Sequence, residues 1–211
     1  MKTLIFSDVH GNLPAFEKML EKEKECEQFI CLGDLVNYGP WSNECVALAL
    51  NLKNIKLIKG NHESYFISGI YPGKSQLVQD FFQISKNNFK YKNEITAFED
   101  HLNFEQFTCQ HTINDQYIFQ DSTLILDKNY IIGHSHQQFK LCNNSFELYN
   151  TGSVGQNRSY INEINYLLYD SETHEMELKS LLFNIDLILS KMKEMNYPEQ
   201  CIAYYATKKL K

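Results

Sequence analysis

The sequence predicts an α/β protein built as two stacked β-sheets with helices outside. Three features carry that prediction. In roughly the first half, short apolar strands alternate with amphipathic helices, as in a mainly parallel sheet. From residue 104 onward, strand-like runs follow one another with Asn, Asp and Ser between them, too much strand for a simple doubly wound sheet. No repeat, low-complexity stretch or Pro/Ser linker interrupts the 211 residues, so both halves are expected to form a single domain, 1–211.

The elements follow in order. Residues 3–7 read as a short buried strand. Residues 13–25 have helical spacing, with Phe16, Met19 and Leu20 on one face, Asn12 as N-cap and Pro14 in the first turn. A second strand, 29–32, runs into Gly33-Asp34. Residues 43–52 form a second amphipathic helix, and a third strand, 55–58, runs into Gly60-Asn61-His62. Helices are expected at 76–88 and 92–102, within a modest helical insertion at about 64–103. Strands are then expected at 104–110, 116–120, 123–126, 129–133, 138–142, 145–149, 164–170 and 175–182. A helix at 184–195 is apolar at Ile185, Leu187, Ile188, Leu189 and Met192, and Pro198 opens another short one. That face needs a partner, either the sandwich or the same face of a second copy in a homodimer.

Composition narrows the function. With 43 % hydrophobic residues and only 9 Gly and 4 Pro, the chain is neither disordered nor fibrous. A net charge of −6 argues against a nucleic-acid coat, because that affinity comes from clustered Lys and Arg. No apolar run approaches the roughly 20 residues of a membrane helix, and the first one ends at once in Asp8 and His10. The six cysteines include no C-x-x-C pair and are expected as reduced thiols in a cytoplasmic protein.

The informative feature is where the apolar strands stop. They end in Asp8-Val9-His10-Gly11-Asn12, in Gly33-Asp34, in Gly60-Asn61-His62-Glu63 and in Gly133-His134-Ser135-His136, and His111 follows a further strand-like run. Carboxyl ends of strands in such sheets converge on a crevice. Two carboxylates, an amide oxygen and several imidazoles suit borderline divalent metals such as Mn, Fe or Zn, not the oxygen shell of Mg or Ca or the thiolates of structural Zn. The donors are too many for one tetrahedral ion. Two ions about 3.5–4 Å apart, sharing a carboxylate, would supply a bridging hydroxide and clamp a phosphoryl group for in-line attack.

In this order the motifs resemble the signature of the calcineurin-like metallophosphoesterase superfamily: Asp-x-His, Gly-Asp, Gly-Asn-His-(Asp/Glu), a lone His, then Gly-His-x-His. Tyr38-Gly39-Pro40 and Asn150-Thr151-Gly152-Ser153-Val154-Gly155 extend the likeness to small single-domain bacterial and archaeal phosphoesterases, over residues 1 to about 158. The resemblance implies a four-layer αββα sandwich of two mixed sheets. It implies one metal on Asp8, His10 and His136, a second on Asn61, His111 and His134, and Asp34 as the bridge. His62 is implied as the catalytic group that protonates the leaving oxygen or steadies the transition state. The family usually follows the lone His with Gly, where this chain has Thr112. Manganese is the first expectation for both ions, with Fe, Zn and Ni as alternatives.

Other residues have two readings each. Arg158, the only arginine, is a phosphate ligand or a structural ion pair. Tyr38 and Trp41 form a cleft wall or a core contact. Asn12 orients a phosphate or only caps its helix. Cys109 reads as buried strand, and His101 and His174 as surface residues on a helix and a hairpin turn.

The function expected is hydrolysis of small phosphate mono- or diesters. A protein phosphatase or symmetrical dinucleoside-polyphosphate hydrolase would carry Arg after the second motif, where this chain has Tyr38; an asymmetric dinucleoside-polyphosphate hydrolase stays open. A non-catalytic scaffold of this fold would lack the third-motif histidine, and His62 is present.

Overall fold

The computed structural model of the protein describes residues 1–143 and 145–211. Strands β1 (Lys2–Phe6), β2 (Gln28–Cys31) and β3 (Ile55–Leu57) run parallel, and the hairpin β9 (Glu163–Asp170) and β10 (Glu175–Leu182) joins β1 antiparallel. The sheet order is β10-β9-β1-β2-β3. Phe6 lies opposite Cys31, and Cys31 opposite Leu57, so the three parallel strands end level and their loops leave from one edge.

The second sheet contains β4 (His101–Phe104), β5 (Phe107–Gln110), β6 (Asn129–Ile132), β7 (Gln138–Asn143) and β8 (Phe146–Thr151) in the order β4-β5-β6-β8-β7. Its central strands β5, β6 and β8 are parallel, and its edge strands antiparallel. Both sheets are therefore mixed, as expected.

Alternation along β1 sorts the cores. Leu4 and Phe6 face the helices α1 (Leu13–Lys22), α2 (Ser42–Asn51), α6 (Asp186–Glu194) and α7 (Glu199–Ala206), meeting Phe16, Met19, Val46 and Ile188. Ile5 points the other way, into an inter-sheet core with Ile30, Leu32, Ile58, Phe107, Cys109 and Ile131. On the far face of the second sheet, Tyr130, Ile132 and Leu148 are covered by Ile118 and Leu126.

Four local expectations change. The helix expected at 92–102 is α5 (Lys92–Thr96) only, and His101 sits exposed on β4. The single strand expected at 104–110 folds back as a hairpin, with Glu105 at φ 51°. Residues 116–120 and 123–126 form no strand; their alternation reflects Ile118 and Leu126 packing onto the sheet while the backbone closes turns, such as Gln116 N–H to Ile113 O at 3.1 Å. Residues 61–68 are the helix α3 (Asn61–Ser68), and α4 (Gln76–Asn87) follows near its expected place. The C-terminal helices cap the first core through Ile188, Met192, Cys201 and Tyr205, whereas Leu187 stays exposed. All six cysteines are free thiols, Cys142 alone exposed. Among the described residues, no helix is long and apolar enough to cross a membrane.

Candidate metal centre

The loops at the strand ends are fastened to one another by their own backbones. Asp8 N–H donates to Gly33 O (3.0 Å), His10 N–H to Asp34 O (2.9 Å), Gly133 N–H to His111 O (3.0 Å) and Gly155 N–H to Asp8 O (3.0 Å). Asp8, His10, Asp34, His134 and His136 all adopt positive φ, between 49° and 67°. That region costs a side-chain-bearing residue of order 1–3 kcal/mol and persists only where the surroundings fix it.

These turns bring the predicted donors into two adjoining groups. In the first, Asp8 Oδ1, His10 Nε2 and His136 Nε2 converge: the two ring nitrogens are 3.2 Å apart, and Asp8 Oδ1 is 3.1 Å from His136 Nε2. In the second, His111 Nε2 lies 2.9 Å from Asn61 Oδ1, 3.1 Å from His134 Nδ1 and 3.3 Å from Asp34 Oδ2. Asp34 Oδ2 is also 3.8 Å from His10 Nε2, which places this carboxylate between the groups. His111 joins despite Thr112, because β5 ends beside β6 and delivers it next to His134.

The donor set fits divalent cations. Three imidazoles hold backbone carbonyls through Nδ1: His10 to Val36 O (3.0 Å), His111 to Leu32 O (2.8 Å) and His136 to Gln156 O (2.8 Å). A carbonyl only accepts, so Nδ1 carries the hydrogen, and in a neutral ring the Nε2 lone pair faces the site. Asp8 Oδ2 accepts from Ser7 Oγ (2.6 Å) and His134 N–H (2.9 Å), while Asp8 Oδ1 is buried without a hydrogen bond. In the first group, the Nε2 lone pairs of His10 and His136, aimed at one another at 3.2 Å beside an unpartnered carboxylate oxygen, are what a cation resolves.

The charges agree. Burial works against the Asp34 anion, but His111 and His62 outweigh it and hold the carboxyl well below the usual range. Burial also opposes a charged His111, yet Asp34 and then Asp8 raise it to about 10. His134 is pushed down to about 4 by burial and by His111, and His62 to about 3 by burial.

His62 stands beside both groups, its ring 4.8 Å from that of His10, and its backbone N–H donates to Asp34 Oδ1 at 2.8 Å. Asn37 Nδ2 lies 2.8 Å from His62 Nδ1; donating there, it leaves the hydrogen on Nε2. Glu63 ties two motifs together: it accepts from Asp34 N–H (2.7 Å), Leu35 N–H (2.8 Å) and Gly60 N–H (2.8 Å). Burial first, and Asp34 second, push Glu63 up to about 7. The sequence reading assigned roles to neither Asn37 nor Glu63. The available signal was the Gly33-Asp34-Leu35-Val36-Asn37-Tyr38 run, where Asn37 and Tyr38 take successive positive φ of 76° and 61°.

Tyr38 packs its ring against His10 (4.9 Å) and His62 (5.4 Å), so it walls the site, whereas Trp41 packs on the first core. Asn12 corrects an expectation. Fully buried, it accepts from Ala15 N–H (3.2 Å) and donates to Gly155 O (3.3 Å), so it caps α1 and pins a loop instead of facing a substrate. Arg158 is exposed and forms no ion pair within 4.0 Å among the described residues; burial raises the Tyr38 pKa and lowers that of His136, with the nearby guanidinium a lesser influence on each. A cleft of about 610 Å³ opens beside Asn61, His111 and His134, lined also by Tyr65, Tyr117 and Lys59.

Two mixed sheets that gather carboxylates, an amide and imidazoles at their carboxyl edge define a metal-dependent hydrolase of the phosphoesterase class. The chain belongs to the calcineurin-like phosphoesterase family, whose model matches residues 1–194. It is a metal-dependent phosphoester hydrolase, and the family uses a dinuclear metal centre. An uncharacterized protein of Methanocaldococcus jannaschii is 27 % identical over 237 residues, covering 92 % of this chain and 93 % of that one. The phosphodiesterase YfcE of Escherichia coli (strain K12) is 43 % identical over 42 residues, 19 % of this chain and 23 % of that one. The fold is shared with the metallophosphoesterase from Sphaerobacter thermophilus, with a TM-score of 0.78 at 21 % identity over 98 % of each chain.

Proposed function

We propose that this enzyme hydrolyses small phosphate mono- or diesters with two divalent ions, manganese first among them. One would be held by Asp8, His10 and His136, the other by Asn61, His111 and His134, with Asp34 between. The observation that carries this reading is the position of Asp34 Oδ2, 3.8 Å from His10 Nε2 and 3.3 Å from His111 Nε2. Ions there supply water activation at neutral pH and positive charge against the phosphoryl oxygens. The all-nitrogen-and-oxygen donor set favours Mn or Fe over a thiolate-bound metal.

The chain's own groups do the rest. The carbonyls of Val36, Leu32 and Gln156 hold three imidazoles in one orientation. His62 is neutral at pH 7, since burial pushes it down to about 3, and its Nε2–H is a hydrogen-bond donor to the phosphoryl or leaving oxygen. To act as the acid, the ring would take a proton from solvent water beside the substrate's negative charge and pass its Nε2 proton to the leaving oxygen. Tyr38 shields this side of the site, and the unpaired Arg158 guanidinium is available to a phosphate oxygen.

The test is direct. Metal-free protein given Mn²⁺ should hydrolyse bis-p-nitrophenyl phosphate or p-nitrophenyl phosphate. His62→Ala should retain metal and lose about 10²–10⁴-fold in kcat. Asp34→Asn should impair both ions. Metal-replete wild type inert to a broad ester panel, or Asp34→Asn with metal content and rate intact, overturns the reading.

A further inference from the structure

The C-terminal helix α7 lies beyond the residues that the family model matches, yet it reaches the metal centre. Gln156 is the link. Its carbonyl accepts the Nδ1–H of His136 at 2.8 Å, and the residue is only 2 % exposed. Its side chain is gripped at both ends by consecutive tyrosines of α7: Gln156 Nε2 donates to the Tyr205 hydroxyl, and the Tyr204 hydroxyl donates to Gln156 Oε1 at 3.2 Å. The Gln156 N–H donates to Ser153 Oγ (2.7 Å), whose hydroxyl donates to Asp8 O (2.7 Å). Every polar group of Gln156 is thus engaged.

The three Nδ1 acceptors differ in how they are held. Leu32 directly follows β2 and is bonded to the neighbouring β1, with Leu32 N–H on Phe6 O at 2.8 Å, and Val36 lies between backbone groups that bond the β1 loop. Gln156 sits in an irregular loop whose preceding residues are tied to the β1 loop (Val154 N–H to Ser7 O and Gly155 N–H to Asp8 O, both 3.0 Å), but no strand follows to aim the peptide that carries its carbonyl. The helix provides what the sheet does not. Cys201 and Tyr205 are buried in the first core, Tyr205 against Phe81 at 6.1 Å between ring centroids, and Ile161 N–H bonds Lys209 O at 3.0 Å just past the helix.

We propose that α7 is a positioning element of the metal centre, in which Tyr204 and Tyr205 fix Gln156 and Gln156 fixes the ring of His136. This rests on the two-ion reading above. A ligand whose outer partner is loosened holds its ion less well, typically by about 10–100-fold when that partner is removed. Here the perturbation is one bond further out, so about tenfold is expected.

The experiment titrates metal-free protein with Mn²⁺, following free Mn²⁺ by electron paramagnetic resonance. Wild type should take up two ions per chain. The double variant Tyr204→Phe/Tyr205→Phe keeps both rings and removes both hydroxyls; one ion should weaken about tenfold and the other stay within about twofold. In a His136→Ala background the same pair should leave the remaining ion unchanged, since their coupling runs through His136. Tyr197→Phe removes another hydroxyl from this helical layer, 5 % exposed, and should move neither affinity. Should the double variant fold poorly, Tyr204→Phe alone should weaken the same ion by about two- to threefold. Unchanged affinities, or equal weakening of both ions, overturn the role of α7. Fewer than two ions on wild type overturns the two-ion reading beneath it, a separate result.

Discussion

Substituting Gly60 by Ala tests whether the bridging carboxylate is placed by contact. A Cβ at Gly60 would fall 2.1 Å from Asp34 Oδ1, 2.7 Å from Asp34 N and 2.8 Å from Asp34 Cγ. Carbon contacts become comfortable near 3.5 Å, so the carboxylate must retreat by about 1 Å or the loop must open by as much. Asp34 Oδ1 would also leave the His62 N–H that it accepts at 2.8 Å. Overpacking of this kind costs about 1–3 kcal/mol, a fall of roughly 2–12 °C in Tm for a chain of this size. The functional loss should be larger, because a 1 Å misplacement can cost about 10²-fold in rate. The control is Gly69→Ala. Its Cβ meets only Lys86 Nζ, at 3.7 Å, but φ is +77°, so it should lose stability without losing rate per folded molecule. The assays are bound Mn²⁺ per chain, hydrolysis of bis-p-nitrophenyl phosphate and a melting curve. A folded Gly60→Ala with near wild-type rate and two bound ions would refute the reasoning.

Arg158→Ala should raise KM for a phosphate ester about five- to tenfold with kcat little changed, and Arg158→Lys should recover part of it; a kcat loss at constant KM would contradict a binding role. Asn37→Ala frees His62 Nδ1 and should lower kcat about 10–100-fold while bound metal stays constant, as read by initial rates and metal analysis. Metal uptake near neutral pH should release a proton from His111, because its raised pKa of about 10 keeps it protonated until an ion takes its lone pair. Affinity at that group should therefore climb about tenfold per pH unit up to about 10, measured by titration calorimetry in buffers of different ionisation enthalpy; no proton release would refute it. The same raised pKa stabilises the metal-free fold below the ordinary histidine range, a contribution that fades as pH rises through about 10.

Much of the site was legible because its residues are punctuation. An apolar run that stops in Asp8-Val9-His10 or Gly133-His134-Ser135-His136 marks both a strand end and a donor set, and the parallel register of β1, β2 and β3 makes such ends coincide. What stayed hidden depends on approach in space. Asn37, Glu63 and Gln156 lie in the same motif regions, but their partners are 25, 28 and 49 residues away for His62, Leu35 and Tyr205. Asn12 was legible as a cap, and only Gly155 crossing its side chain shows why it is unavailable to substrate. Between residues 92 and 128 the local pattern misled: alternation at 116–126 signalled burial on a sheet face, which an irregular segment satisfies as well as a strand.

The backbone strain and the donor pattern have one explanation. Five of the seven expected ligands hold positive φ, and none of those five is glycine. In a strand, residues two apart share a face but stand about 6–7 Å apart along it; the left-handed turns immediately after the strands instead bring Asp8 Oδ1 within 3.6 Å of His10 Nε2 and deliver His134 and His136 to the two adjoining groups. The glycines beside them accommodate the consequence. Gly133 lets Ser7 Oγ and Asp8 Oδ2 lie where its Cβ would be, at 2.0 and 2.6 Å, as Gly60 does for Asp34. Burying two carboxylates among imidazoles in such turns costs free energy that the bonds of Glu63, Ser7 and the backbone loops offset only in part, since Asp8 Oδ1 stays unpaired. A cation that binds only this folded arrangement stabilises it by mass action. The strained turns therefore make sense as a preorganised receptor, in which folding places the donors before the ions arrive.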